Sequence, residues 1–275
     1  MEVSKQSGQA LLVVVLVMVV TLTVGLSLTS RSIVSIRTSS EEADSQKALA
    51  AAEAGIERGI EVNNNATISE PFENNAKYNA EIKKVEGTVF LAHGGNTIVQ
   101  DDGIDVWLVN HKADGTPDYS TPWPGKDLEI YWGEVSLTDC ANAAIEVAVI
   151  LGPVASVALE REAFDPCNAR ADGEKKNHFS NVPSGTHIIK GKTFKYRKKL
   201  KKIDSGLVVR VVPIYADTPI AVEGNVVLPT QGFAIDSIGT SGGANREVKR
   251  SISFFRTYDY LPTPYFMYGL FAPFN

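Results

Sequence analysis

SGQALLVVVLVMVVTLTVGLSLTS, residues 7–30, is the stretch on which the fold reading turns. No charged residue falls between Lys5 and Arg31. As an α-helix at about 1.5 Å per residue, residues 6–30 reach roughly 37 Å, more than the ~30 Å hydrocarbon core of a bilayer. The run is longer than the apolar core of a secretory signal peptide, which spans about 7–15 residues, and no tidy A-x-A site follows it. An ordinary signal anchor is the plainer account. Flanking charge does not fix the orientation, because Lys5 and the amino terminus stand on one side and Arg31 and Arg37 on the other.

The helical pattern continues past Arg31 as SIVSIRTSSEEADSQKALAAAEAGIERGIEV. This segment has no Pro and is rich in Ala, Glu, Lys and Arg, which are good helix formers. Ile33, Ile36, Leu49, Ala52, Ile56 and Ile60 recur at spacings that place them on one face. Glu41, Glu42, Asp44, Glu53, Glu57 and Arg58 fall largely off it. Gly55 and Gly59 allow close approach of a sheet or a neighbour. Asn63-Asn64-Asn65 stops the pattern. A single helix from Gln9 to Val62 would run roughly 80 Å, apolar all round in its first half and two-faced in its second.

The residues ahead of the apolar run, MEVSKQSG, are short and polar and end in Gly8. They resemble the leader of type IV pilins, which is cut after a Gly on the cytoplasmic side of the apolar segment. On that resemblance residues 1–8 are a leader, cleavage falls between Gly8 and Gln9, and residues 9–62 are the transmembrane and spine helix. QALLVVVLVMVV followed by QKALAAAEAGIERGI is most similar to the PilX-like minor pilins, over roughly the first 62 residues. The family implies a pilin-type α+β fold, in which the helix carries a β-rich, mainly antiparallel body. It also implies a single-pass anchor in the cytoplasmic membrane with the body outside the cytoplasm, and later a place in a pilus or at the cell surface. The partners it implies are membrane lipid first and then other pilin-like subunits. Leu11, Val13, Leu16, Val20, Gly25 and Leu28 are the expected assembly residues. The chain departs from the major pilins at two places. Gln9 and Val13 stand where those pilins carry Phe and Glu, and in the family that Glu pairs with a neighbour's N-terminal amine. The departure suits a rare subunit better than a repeated one. The reading of another class is a monomeric membrane-tethered surface adhesin or binding module.

The remaining chain, from Asn63 onward, is long enough for one large domain or two small ones. A formal net charge of −5 argues against a wholly basic nucleic-acid binder. From Gly87 the chain breaks into short β-branched and aromatic runs punctuated by Gly, Pro, Asp and Asn. The polar stretch 165–186 is the best internal boundary, dividing the body into 63–165 and 166–275. Ala144–Leu151 reads as a buried strand. Residues 110–125 read as a long loop, whose three prolines exclude a central strand. HIIKGKTFKYRKKLKKI and LVVRVVPIYAD, joined by Asp204-Ser205-Gly206, read as a hairpin, with Phe194, Tyr196 and Leu200 on one side. REVKRSISFF is similar to the closing G-x-x-R-x-V strand of PilX-like proteins. The aromatic tail, from Tyr258 through Tyr260, Tyr265, Phe266, Tyr268 and Phe271 to Phe274, is expected to pack on a sheet or on the helix, with subunit docking as the alternative.

The two cysteines, Cys140 and Cys167, form no C-x-x-C pair, so structural zinc is not expected. A disulfide between them fits an extracytoplasmic body, with two buried thiols as the alternative. The run Lys190–Lys202 contains no acid, and Phe194 and Tyr196 interleave with it. Lys195, Arg197, Lys198, Lys199, Lys201 and Lys202 are the candidate polyanion site, since cations with aromatics hold phosphates and bases. The plainer account is an edge strand protected by lysines. GTSGG at 239–243 and His93 resemble fragments of a serine-protease site, but Thr240 stands where such a site has Asp. Asp101, Asp102 and Asp105, and Asp114 with Asp118, have oxygen ligands for calcium without a recognised loop spacing. His111, His178 and His187 stand alone. No catalytic residue, cofactor, metal site or small-molecule substrate is expected.

Overall fold

The structure is a computed structural model. It describes residues 7–258 apart from 113, 154, 155, 173–175, 202, 244 and 245, and no side chain is described at 7–10, 172 or 201. The leader residues 1–6, Lys202 and the tail beyond Tyr258 lie outside the described residues.

One helix, α1, runs unbroken over Ser7–Ile60. Its end is closed rather than frayed. The Arg256 guanidinium donates to the Ile60 carbonyl and, at 3.0 Å, to Asn63 Oδ1, using one of the carbonyls a helix C-terminus leaves unpaired. After the asparagines come β1 (Ala66–Pro71), β2 (Lys77–Lys84), β3 (Gly87–Leu91), a 3-10 turn (Ala92–Gly95) and β4 (Thr97–Ile98). Then follow β5 (Ile104–Trp107), β6 (Val109–His111), β7 (Pro117–Pro122), β8 (Asp127–Trp132), β9 (Ala144–Leu151) and β10 (Ala158–Asp165). A short helix, α2 (Asn168–Asp172), precedes β11 (Ser180–Asn181), β12 (His187–Ile189), β13 (Lys192–Phe194) and β14 (Tyr196–Lys201). The chain closes with β15 (Gly206–Ile214), β16 (Thr218–Leu228), β17 (Gly232–Gly243) and β18 (Arg246–Thr257). This is the α+β class, a long apolar N-terminal helix followed by a β-rich and mainly antiparallel body.

The chain divides into two compact units. The first holds residues up to 58 with 67–80 and 236–252. It contains most of α1 and much of the sheet β1-β2-β17-β18. Here α1 lays down small residues. Ala48, Ala51, Ala52 and Gly55 are buried, while Leu49, expected on the inward face, is 42% exposed. The reason is steric. A Cβ at Gly239 would collide with the backbone of Ala48 and Ala52, and one at Gly55 with Ser237 Oγ and the Tyr78 ring. Helix and strand approach at backbone distance, and a Leu would hold them apart. Ile33 and Ile36, also expected on that face, are exposed.

The second unit holds 59–66, 81–235 and the residues from 253. Two sheets, β14-β8-β16-β3 and β11-β10-β9-β15-β5, pack face to face as a sandwich. Leu128, Ile130, Trp132, Ile220 and Val222 from one sheet meet Val106, Ile145, Val147, Phe164 and Val209 from the other. The continuous apolar run of β9 fits its central place, since it pairs with β10 on one side and β15 on the other.

Three further expectations change. The boundary at 165/166 does not separate two sheets, because each sandwich sheet mixes strands from both sides of it. β14 and β15 are not a hairpin. β14 pairs with β8 and β15 with β9 and β5, so the turn at 204–206 carries the chain from one sheet to the other. Residues 110–125 are not all loop, since β6 and β7 form a small peripheral ladder with Pro117 and Pro122 at its ends.

Candidate assembly helix and neighbouring sites

The front half of α1 has no partner among the described residues. Leu11, Val13, Leu16, Val20 and Leu28 are between 52% and 70% exposed. Gly25 meets nothing within 4 Å, and an open shallow groove runs past it between Met18, Leu22 and Leu26. The threonine hydroxyls in this stretch are already satisfied. Thr21 Oγ1 donates to the Val17 carbonyl at 2.9 Å, Thr23 to Val20 at 2.8 Å and Thr29 to Gly25 at 2.8 Å. Polar side chains that bond back to their own helix can lie in an apolar surround without an orphaned group. By length and composition this helix is a candidate membrane span, and its most apolar window has a mean hydropathy of 2.9. Gly8 and Gln9 lie on the first turns of the helix.

Cys140 and Cys167 form a disulfide, with Cα atoms 4.5 Å apart. It sits beside a buried ion network. Asp165 is fully buried, accepts from the Cys167 amide at 2.8 Å and receives Arg170 Nε and Nη2 at 2.9 Å. Arg170 also donates to the Cys140 carbonyl at 2.7 Å. A buried carboxylate held by several donors fixes the loop geometry around the bridge.

The basic run is a ladder of paired charges. Lys195 meets Asp139 at 3.0 Å, Arg197 meets Glu129 at 3.4 Å and Lys199 meets Asp127 at 2.8 Å. Lys198 stands 4.5 Å over the Phe164 ring. Asp127 raises the pKa of the Lys199 ammonium, and hydrogen bonds from Tyr196 and Lys195 lower that of Asp139. The acids come from β8 and the loop after it, which sequence order separates from the run. β14 lies at the open edge of its sheet, with Tyr196 and Leu200 buried in the sandwich core. Phe194 belongs to a different cluster, with Tyr131 and Ala221, because the chain leaves β13 at Lys195 before β14 begins.

The other candidates disperse. GTSGG is part of β17 rather than a loop, and Ser241 is buried with no hydrogen bond to its hydroxyl. His93 lies in the 3-10 turn at φ 47°. Asp105 is clamped by Arg210 through two bonds of 2.7 Å. Asp114 accepts from Thr116 in its turn and Asp118 from Ser120 along β7, which lowers both carboxyl pKa values. Among the described residues no group of three His, Cys, Asp or Glu is placed to hold a metal.

Two features were not foreseen. His111 lies between Tyr258, stacked at 3.5 Å between ring centroids, and the edge of Trp107 at 4.7 Å. Both its ring nitrogens are buried without a hydrogen bond, and burial lowers its pKa to about 4. The Tyr131 hydroxyl is 2.7 Å from Glu129 and 2.8 Å from Glu223, and burial with these two carboxylates raises its pKa. Neither grouping has a complete local signature, since Tyr258 and Glu223 lie far in sequence from the residues they join. No family model, curated protein or solved structure matches this chain.

Proposed function

We propose that this chain is a pilin-like structural subunit, of the minor class that resembles PilX-like proteins. The front half of α1 anchors it in the cytoplasmic membrane with the body outside, and the same surface then packs against other pilin-like subunits in a pilus or related filament. The observation that carries the reading is α1 itself. It is one unbroken helix, bare and apolar in front and seated by a small-residue face behind on the sheet that holds β17. The mechanism is packing, with no catalytic step. Lipid already solvates Leu11 to Leu28, so association draws on close fit between helices, for which Gly25 and the back-bonded threonines leave room. Without a carboxylate at Val13, the subunit is a poor acceptor for a neighbour's amine, which fits a rare position in the assembly.

The same absence favours the second reading, a monomeric membrane-tethered adhesin or binding module. The mature N-terminus separates the two. Mass spectrometry of the native protein should find Gln9 first, and deletion of the host's prepilin peptidase should leave Met1 in place. A chain that begins at Met1 in cells with an active peptidase removes the pilin reading and leaves the tether.

A further inference from the structure

The sandwich is open along one side. β14 is the outer strand of one sheet, and β10 is covered beyond β9 only at Phe164 and Asp165, where β11 pairs with it. From Ala158 to Ala163 the outer edge of β10 has no strand beside it among the described residues. In an antiparallel ladder every second residue directs its N–H and C=O outward, so this edge presents a row of unfilled backbone bonds.

The inward face of the same strand changes character along its length. Phe164 fills the core, but Glu162 and Glu160 follow on that face, opposite Val147 and Val149 of β9. Arg161 lies on the other face and meets Glu146 at 3.6 Å. Glu160 and Glu162 are exposed and have no ion pair among the described residues. They form one wall of a cleft whose floor is Val147, Val149 and Leu200. Lys198 and Lys199 are on the opposite wall, both already engaged, Lys198 over the Phe164 ring and Lys199 with Asp127.

We propose that this edge binds an extended basic segment of a partner protein. The segment adds as a strand beside β10, in line with β11. One Lys or Arg side chain enters the cleft, its alkyl stem over Val147, Val149 and Leu200 and its head between Glu160 and Glu162. Inward-pointing charges on an edge strand repel unselective pairing with apolar strands. The same charges select a strand that brings the opposite sign. Backbone bonds supply affinity and the alternate side chains supply specificity. The inference does not depend on how α1 assembles.

The test uses the full chain in detergent micelles and a nine-residue peptide of alternating threonine and valine with a central arginine. Fluorescence anisotropy should show saturable binding that weakens with salt. It should fall at least tenfold with Glu160→Gln/Glu162→Gln, while near-ultraviolet circular dichroism stays unchanged. A twin peptide with central glutamate should not bind, nor should the arginine peptide N-methylated at alternate amides. Equal affinity for the double variant, equal binding of the glutamate twin, or no binding of the arginine peptide would each overturn the proposal, the last leaving the two carboxylates as edge protection alone. If the double variant does not fold, the N-methylated peptide decides on the unaltered protein, because undiminished binding excludes strand addition.

Discussion

Where α1 meets β17, the facing residues are Ala48, Ala52 and Gly55 against Ser237 and Gly239. Between the two sandwich sheets they are Trp132, Phe164, Ile145 and Ile220. The first interface buries little apolar surface per residue and holds by backbone approach, where many weak dispersion contacts act at short range. The second holds by the volume its side chains remove from water. The two should therefore fail in opposite ways. A sandwich tolerates enlargement poorly but suffers most from deletion, which leaves a cavity. The helix seat has almost nothing to delete and suffers from anything added.

That contrast sets the largest expected effects. Trp132→Ala should cost about 4 kcal/mol, since it empties a fully buried site and strands the Ala143 carbonyl that the indole N–H reaches at 3.1 Å. Gly239→Val should cost about 3 kcal/mol, because its neighbours are backbone atoms that cannot turn aside. Trp107, Trp123 and Trp132 all belong to the sandwich unit, so indole fluorescence reports on it alone. Denaturation followed by that fluorescence should shift for Trp132→Ala and hold for Gly239→Val. Protease protection of residues 236–252 should show the reverse. Variants that move both probes together would mean that the two regions unfold as one, and the contrast would then have no thermodynamic content.

How much of this was legible in the residues follows from the same physics. The front of α1 and the strand β9 were readable because uninterrupted hydrophobicity admits few placements. Tyr196 and Leu200 were placed inward by period-two spacing alone. The seat of α1 was misread at Leu49 because the face was sought by hydrophobicity, while close approach selects for small size. The partners of β14 were misread because a good turn at 204–206 is local information, and which sheet a strand joins is not. Nothing in KGKTFKYRKKLKK announces Asp127 and Glu129 across the ladder or Asp139 in the loop beyond it, so a run that reads as a cationic patch folds as alternating ion pairs.

His111 sharpens the contrast from the sandwich side. Its folded pKa, lowered to about 4, lies below the ordinary value of 6.5. Between those values the unfolded chain binds a proton that the folded chain refuses. Its contribution is therefore fully present above pH 6.5 and is lost as pH falls toward 4. With allowance for partial solvent screening the loss is about 2 kcal/mol. Urea midpoints read by tryptophan fluorescence should fall across that window, and His111→Phe should flatten the slope while keeping a ring between Trp107 and Tyr258. A slope unchanged in the variant would place the titration elsewhere.

The smallest effect has the less expected sign. Ser237 is fully buried on the face of β17 that receives the helix, and its Oγ has no hydrogen-bond partner. A desolvated hydroxyl without a partner costs about 1–3 kcal/mol, whereas Ala at the same place keeps the Cβ and brings no polar atom. Ser237→Ala should therefore stabilise the helix seat by about 1 kcal/mol, read as increased protease protection of residues 236–252. Ser237→Val should weaken it, because the space opposite Gly55 is already filled to contact. A destabilised Ser237→Ala would show that the hydroxyl bonds to something in solution. The seat would then be held by polar pairing as well as by small size, and its difference from the sandwich would narrow accordingly.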